Sequence, residues 1–186
     1  MKPTYTPPDN GGFMIPRCSD RVILAFVNEK DRWEILGGGE EPEDNGDLLN
    51  TAIRESQEEG MLTVERNHAR HVGNLVQVIP GTGGKTGIAA VWSTQIFEPI
   101  SGLKWKEFQL FRKTDPAYNK ETGGVSMIRL KDIFCEGSPF AIPLGHKRMI
   151  LHMLNVETDF GKPLIEGIRL GQPVTALVPH LGIITC

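Results

Sequence analysis

The chain has 186 residues, a formal net charge of −3 and 39% hydrophobic residues, values of an ordinary globular domain with its own core. No apolar run approaches the ~18 residues that a membrane-spanning helix needs, and the N-terminal Met1-Lys-Pro-Thr-Tyr-Thr-Pro-Pro8 lacks the apolar stretch of a secretory leader. Near-neutral charge argues against a general nucleic-acid binder, and three widely spaced cysteines (Cys18, Cys135, Cys186) predict free thiols in a reducing, cytoplasmic setting.

In chain order, residues 1–12 are rich in Pro, Thr, Asp and Gly and read as an extended or frayed arm. Arg21-Val-Ile-Leu-Ala-Phe-Val27 is short and β-branched, the pattern of a buried strand. Trp33–Leu36 resumes extended chain before Gly37, Gly38 and Gly39. After a polar loop, Asp47 is a suitable N-cap for a helix carrying Leu48, Leu49, Ala52 and Ile53, with Gly60 as its C-cap. Val72–Ile79 and Ile88–Phe97 read as strands of a hairpin around Pro80-Gly-Thr-Gly-Gly-Lys-Thr-Gly87. That glycine-rich loop is no Walker motif, because Ile79 stands where the first glycine belongs. Residues 101–124 read as an irregular stretch with Trp105, Phe108, Phe111 and Tyr118 among charges. Val125–Leu130 is a further strand, and His146–Val156 a helix with Met149, Ile150, Met153 and Leu154 on one face. The last ~25 residues are apolar with several Gly and Pro, suiting short strands packed back on the body. The expectation is one domain over 1–186, with a core at about 13–157 and an extension at about 158–186.

The chemistry concentrates in Arg54-Glu55-Ser56-Gln57-Glu58-Glu59-Gly60. On a helix, Glu55, Glu58 and Glu59 fall within about 100° of one another, and Arg54 stands four residues before Glu58. Such carboxylates repel unless a positive charge joins them, and a hard divalent cation with oxygen ligands suits the arrangement. Mg²⁺ takes few protein ligands and completes its shell with water and substrate phosphates, so the cluster points to a phosphorylated substrate. The window from Glu40 to Glu59 holds eight acids and one base, leaving a mildly basic remainder around a concentrated acidic site.

Taken together, Trp33-Glu-Ile-Leu-Gly-Gly-Gly-Glu-Glu-Pro-Glu-Asp44 and Thr51-Ala-Ile-Arg-Glu-Ser-Gln-Glu-Glu-Gly-Met61 resemble the Nudix hydrolase family. Its signature is a Gly, a Glu six residues on and, eight residues later, Arg-Glu-apolar-x-Glu-Glu-x-Gly-apolar. Here Asp44 stands in place of the first Glu, and a two-residue insertion falls around Asn45-Gly46. Ser56 takes an apolar position, and one residue is absent between Glu59 and Gly60. The resemblance implies an α/β fold, an α/β/α sandwich with a mixed central sheet and the catalytic acidic helix at about 47–59. It implies a Mg²⁺ (or Mn²⁺) site of Glu58, Glu59, Glu55 and the Gly37 carbonyl, with Glu55 as third ligand or water activator. Arg54 would be held by Asp44 or Glu43, and Glu121 in the late loop would be a further candidate base. The implied reaction is hydrolysis of a nucleoside diphosphate linked to another moiety. Domain size favours ADP-ribose or nucleotide-sugar substrates; a capped RNA and a homodimer stay open. The alternative is a Nudix-like module that senses a nucleotide without cleaving it.

Overall fold

A computed structural model describes residues 9–78, 83–96, 122–135, 137–157, 175–178 and 182–185. Its central strand is one that the composition hides. β1 (Gly11–Cys18) begins with two glycines, contains Pro16, and follows the Pro-rich arm, all signals against a strand. The tertiary structure removes each objection. Along one edge β1 runs parallel to β6 (Thr86–Gln95), from Gly11↔Ala89 to Arg17↔Gln95. Along the other it pairs with β4 (Leu36–Gly39) through Gly11–Met14, and with β2 (Arg21–Val27) only at Arg17 and Cys18. Arg17 turns its carbonyl to β6, where it accepts from the Ile96 N–H at 2.8 Å. Pro16 therefore faces its backbone to the opposite edge, in the gap between the β4 and β2 pairings, where no ladder bond needs its missing N–H. Gly12 lies beneath the acidic helix, where a Cβ would come 2.1 Å from the Leu48 carbonyl oxygen.

β1 and β2 join as a hairpin and splay apart. Residues 32–39 fill the opening, with β3 (Arg32–Glu34) on β2 and β4 on β1. β7 (Thr122–Arg129) covers the far edge of β2, and β5 (Ala69–Val78) lies antiparallel on β6. The result is a mixed seven-stranded sheet. Period-two alternation sorts its side chains into two layers. Met14, Ala90 and Trp92 bury on one face with Leu48, Leu49, Ala52 and Ile53 of α1 (Leu48–Gly60). Their neighbours Ile15, Ala89 and Val91, with Val22 and Leu24, face the other way. There they meet Leu130 and Ile133 of α2 (Leu130–Phe134) and Met149, Ile150 and Met153 of α3 (Leu144–Glu157). Each fully buried side chain of this size stabilises the fold by roughly 1.5–3 kcal/mol.

The α/β/α arrangement with a mixed sheet and the α1 helix thus stand as expected. β5 and β6 are the expected hairpin; residues 79–82 of its turn lie outside the described residues. β8 (Thr175–Val178) and β9 (Gly182–Thr185) pair as a separate antiparallel ribbon, and β8 packs against α3. Two readings need correction. Residues 11 and 12, read as part of a frayed arm, open the central strand. Gly60 is not the helix cap: it is the last helical residue, buried where a Cβ would approach Leu36 Cδ1 to 2.7 Å. The left-handed capping position belongs to Met61 (φ 53°), whose N–H donates to Gln57 O at 2.9 Å while Leu62 N–H donates to Ser56 O at 3.0 Å. No residue is therefore missing at the helix end. Met61 stands where the signature has its glycine, and Leu62 supplies the following apolar residue. Among the described residues Cys18 and Cys135 are free thiols, and no helix is long and apolar enough to cross a membrane.

Candidate active site

α1 starts where Asp47 accepts from the Leu49 N–H at 3.0 Å. Just before it, a 3-10 turn at Pro42–Asp44 ends on Asn45 (φ 56°) and Gly46 (φ 76°), so the inserted residues take the left-handed conformations that Asn and Gly adopt most readily. This turn delivers Asp44 to Arg54. Asp44 Oδ1 accepts from Arg54 Nε at 3.2 Å and Oδ2 from Nη2 at 3.0 Å, a two-pronged bond in a buried setting. Asp44 Oδ2 also accepts from the Thr51 hydroxyl and the Glu41 N–H, both at 2.9 Å. Burial alone would raise the Asp44 carboxyl, but Arg54, Glu41 and Thr51 hold it below the ordinary carboxylate range. Of the two acids expected to hold Arg54, the structure selects Asp44; Glu43 is exposed.

Arg54 organises what lies beyond it. Nη1 donates to Glu55 Oε1 and to Glu58 Oε2, each at 3.0 Å, and Nη2 to the Gly39 carbonyl at 3.0 Å. Burial opposes the charge on Arg54, yet Asp44, Glu55 and Glu58 together raise its pKa. Glu55 reaches the glycine strand, where a Cβ on Gly38 would lie 2.2 Å from its Oε1. Only a residue without a side chain lets the carboxylate come that close to the backbone. Glu59 Oε2 accepts from the Gly37 N–H at 2.9 Å. Ser56, in the apolar position of the motif, is fully buried and turns its hydroxyl back to the Ala52 carbonyl at 2.6 Å.

The two inner glutamates are held against their preference for charge. Burial pushes Glu55 up to about 7, with Glu58 adding to the shift and Arg54 opposing it. Burial pushes Glu59 up to about 8; the Gly37 N–H opposes this, while Glu55 and Glu34 add to it. Glu58, by contrast, has a largely exposed side chain. Among the described residues no three His, Cys, Asp or Glu side chains already converge as a ligand set. The donor chemistry nevertheless fits a hard divalent cation: three carboxylates on one helix face, two with their charge disfavoured by burial, beside glycine backbone.

Arg54, Glu55, Glu58, Glu59 and Gly37 are thus brought together as expected from sequence. Glu121, Trp105, Phe108 and Tyr118 lie outside the described residues. Sequence reasoning missed the Thr51 hydroxyl, the Gly39 carbonyl and Glu34. Glu34 flanks Glu59 electrostatically and is itself paired with Arg32 Nη2 at 2.5 Å; its position just ahead of the glycine run was the available signal. His146 is structural: its Nδ1 accepts from the Ile35 N–H at 2.9 Å, and burial pushes it down to about 4.

An acidic helix laid against a glycine strand in a mixed α/β/α sandwich defines a recognisable class. No protein-family model and no curated protein matches the sequence. Solved structures do match in shape. A MutT/nudix family protein from Enterococcus faecalis superposes with a TM-score of 0.57 at 15% identity, over 86% of this chain and 65% of that one. The chain therefore spans about two thirds of that protein's length. The NUDIX domain of Shewanella oneidensis NrtR, complexed with ADP ribose, gives 0.56 at 11% identity over 82% and 90% of the two chains. A NUDIX hydrolase from Nitrosomonas europaea gives 0.56 at 12% identity over 87% and 97%. The chain has the Nudix fold.

Proposed function

We propose that this protein is a divalent-cation-dependent hydrolase of a nucleoside diphosphate linked to another moiety, with ADP-ribose or a nucleotide sugar as its substrate class. The observation that carries the reading is the braced carboxylate face, in which Arg54, clamped by Asp44, holds Glu55 and Glu58 beside the glycine strand that receives Glu59. The likeness in fold to a domain complexed with ADP ribose supports the substrate class.

Glu55, Glu58, Glu59 and the Gly37 carbonyl would hold Mg²⁺ or Mn²⁺. Bound there, the cation supplies neutralisation of the pyrophosphate charge at the attacked phosphorus. The chain's own residues do the rest. Arg54 fixes the carboxylates so that little reorganisation accompanies substrate entry. Glu55, held by Arg54 beside the glycine strand, is the first candidate to take the proton from the attacking water. Glu121 is a second candidate for that proton. One oxygen from water joins one phosphorus, the P–O–P bridge breaks, and each product leaves with one phosphate.

The test is phosphorus NMR of ADP-ribose, nucleotide sugars, free triphosphates and a cap analogue incubated with protein and Mg²⁺ in ¹⁸O-labelled water. Cleavage of ADP-ribose with label in one product phosphate supports the reading; cleavage of free triphosphates alone overturns the substrate class. A second reading rests on the position of Arg54, which already pairs with Glu55 and Glu58. In that reading the chain binds a nucleotide without cleaving it, and tight ADP-ribose binding with no product under Mg²⁺ or Mn²⁺ would establish it.

A further inference from the structure

Positive charge borders the acidic helix face on two sides. Arg54 lies on one; a second basic group, built on β3 and the 3-10 turn before it (Asn28–Lys30), lies beyond Glu59. Glu34 pairs across with Ala25, which buries with Leu36 on the sheet face that carries α1. Arg32 and Glu34, two residues apart on β3, therefore both project to that face. There Glu34 holds two cations. Lys30 Nζ donates to both carboxylate oxygens at 3.3 Å, and Arg32 Nε and Nη2 each lie 2.5 Å from Oε1. The Glu34 side chain is 12% exposed against 51% for Lys30 and 40% for Arg32, so a buried anchor steadies two cations that meet solvent. One carboxylate cannot neutralise both, and Arg32 Nη1 has no partner among the described residues. Glu29 and Asp31, beside them in the chain, are exposed and pair with neither cation. Gly37, whose N–H donates to Glu59, follows Glu34 by three residues, at most about 11 Å of chain. From there Lys30 acts on Glu59, favouring its charge.

We propose that Lys30 and Arg32, anchored by Glu34, hold the second phosphate of the substrate's diphosphate, with the first placed on the cation at α1 as in the proposed function. A guanidinium with a free N–H edge and a flexible ammonium are both suited to phosphate oxygens. The three glutamates of α1 repel whatever phosphate charge the cation leaves uncovered, and the β3 pair offsets that repulsion.

Calorimetric titration of the full chain with inorganic pyrophosphate, in Mg²⁺ and again in EDTA, tests it by binding alone. Arg32→Gln is expected to weaken pyrophosphate in Mg²⁺ about tenfold, the loss of one charge-assisted partner. Lys30→Gln, at an exposed position that should not disturb folding, should act in the same direction. Arg129→Gln, four residues along β7 from the Val125 that pairs with Ala25, should leave binding unchanged. Equal binding by the parent and Arg32→Gln, or an equal fall in Arg129→Gln, overturns the phosphate role of the β3 pair. The EDTA arm separates this from the cation reading. Binding that EDTA abolishes but Arg32→Gln leaves intact overturns the β3 pair alone. Binding that Arg32→Gln weakens but EDTA leaves intact supports the pair and overturns the cation at α1. No pyrophosphate binding by the parent in Mg²⁺ overturns both.

Discussion

The two ends of the acidic unit treat a buried carboxylate in opposite ways. At the entry to α1, Asp44 is buried and yet held in its charged form, because a guanidinium, a hydroxyl and an N–H all point at it. About three turns further along, Glu59 is half-buried and pushed up to about 8, with the Gly37 N–H and Lys30 opposing the shift and Glu55 and Glu34 reinforcing it. Burial is common to both, so partners decide the sign. The Asp44 end is electrostatically complete and serves as a brace. At the Glu59 end burial and neighbouring carboxylates outweigh the groups that favour its charge, as the proposed cation site requires.

The largest effect should come from breaking the Glu59 end. Glu59→Gln is expected to lower turnover of the best substrate by about a thousandfold, on the order of 4 kcal/mol of transition-state stabilisation, while the folded state persists. Steady-state kinetics with Mg²⁺ and circular dichroism on the same sample check both halves; unfolding of the variant where the metal-free parent is stable would contradict the assignment.

Breaking the complete end should do the converse. Asp44→Ala leaves Arg54 without its two-pronged partner and is expected to lower unfolding free energy by about 3 kcal/mol in urea. A loss no greater than that of Glu59→Gln would erase the distinction between the two ends.

The two ends also predict opposite pH responses. Glu55 and Glu59 have folded values of about 7 and about 8 against ordinary values of 4.5. Their contribution to metal-free stability is fully present below 4.5 and is lost as pH rises through 7 to 8. Asp44 lies below its ordinary 3.8, so its contribution is present above that value and lost on acidification. His146, lowered from 6.5 to about 4, adds stability above 6.5 that is lost as pH falls toward 4. Thermal melts in EDTA should therefore show an alkaline decline that Mg²⁺ reverses and Glu59→Gln lessens, with the acid limb retained.

The smallest effect concerns the helix end. Met61 holds a left-handed conformation that suits glycine, so Met61→Gly should raise stability by about 0.5–1 kcal/mol with catalysis unchanged. A melting temperature that does not rise would mean that packing of the Met61 side chain offsets the backbone strain.

Much of this unit is legible along the chain because its determinants are local. Helical spacing aligns Glu55, Glu58 and Glu59, Asp47 caps the helix by its own side chain, and β2 announces itself by a β-branched run. What escapes is set by neighbours distant in sequence. β1 is central because β4 and β2 leave a gap opposite Pro16, and no one-dimensional pattern reports that gap. Gly60 looks like a cap because glycine usually is one, but Leu36 packs against it and moves the turn to Met61.

The residues of α1 by themselves determined an acidic helix face in need of positive charge, since 3.6 residues per turn and like-charge repulsion require nothing further. Only the tertiary structure decided which acid braces Arg54 and which glutamates lose their preference for ionisation. Those outcomes depend on burial and on contacts between strands, and desolvation has no counterpart along a sequence.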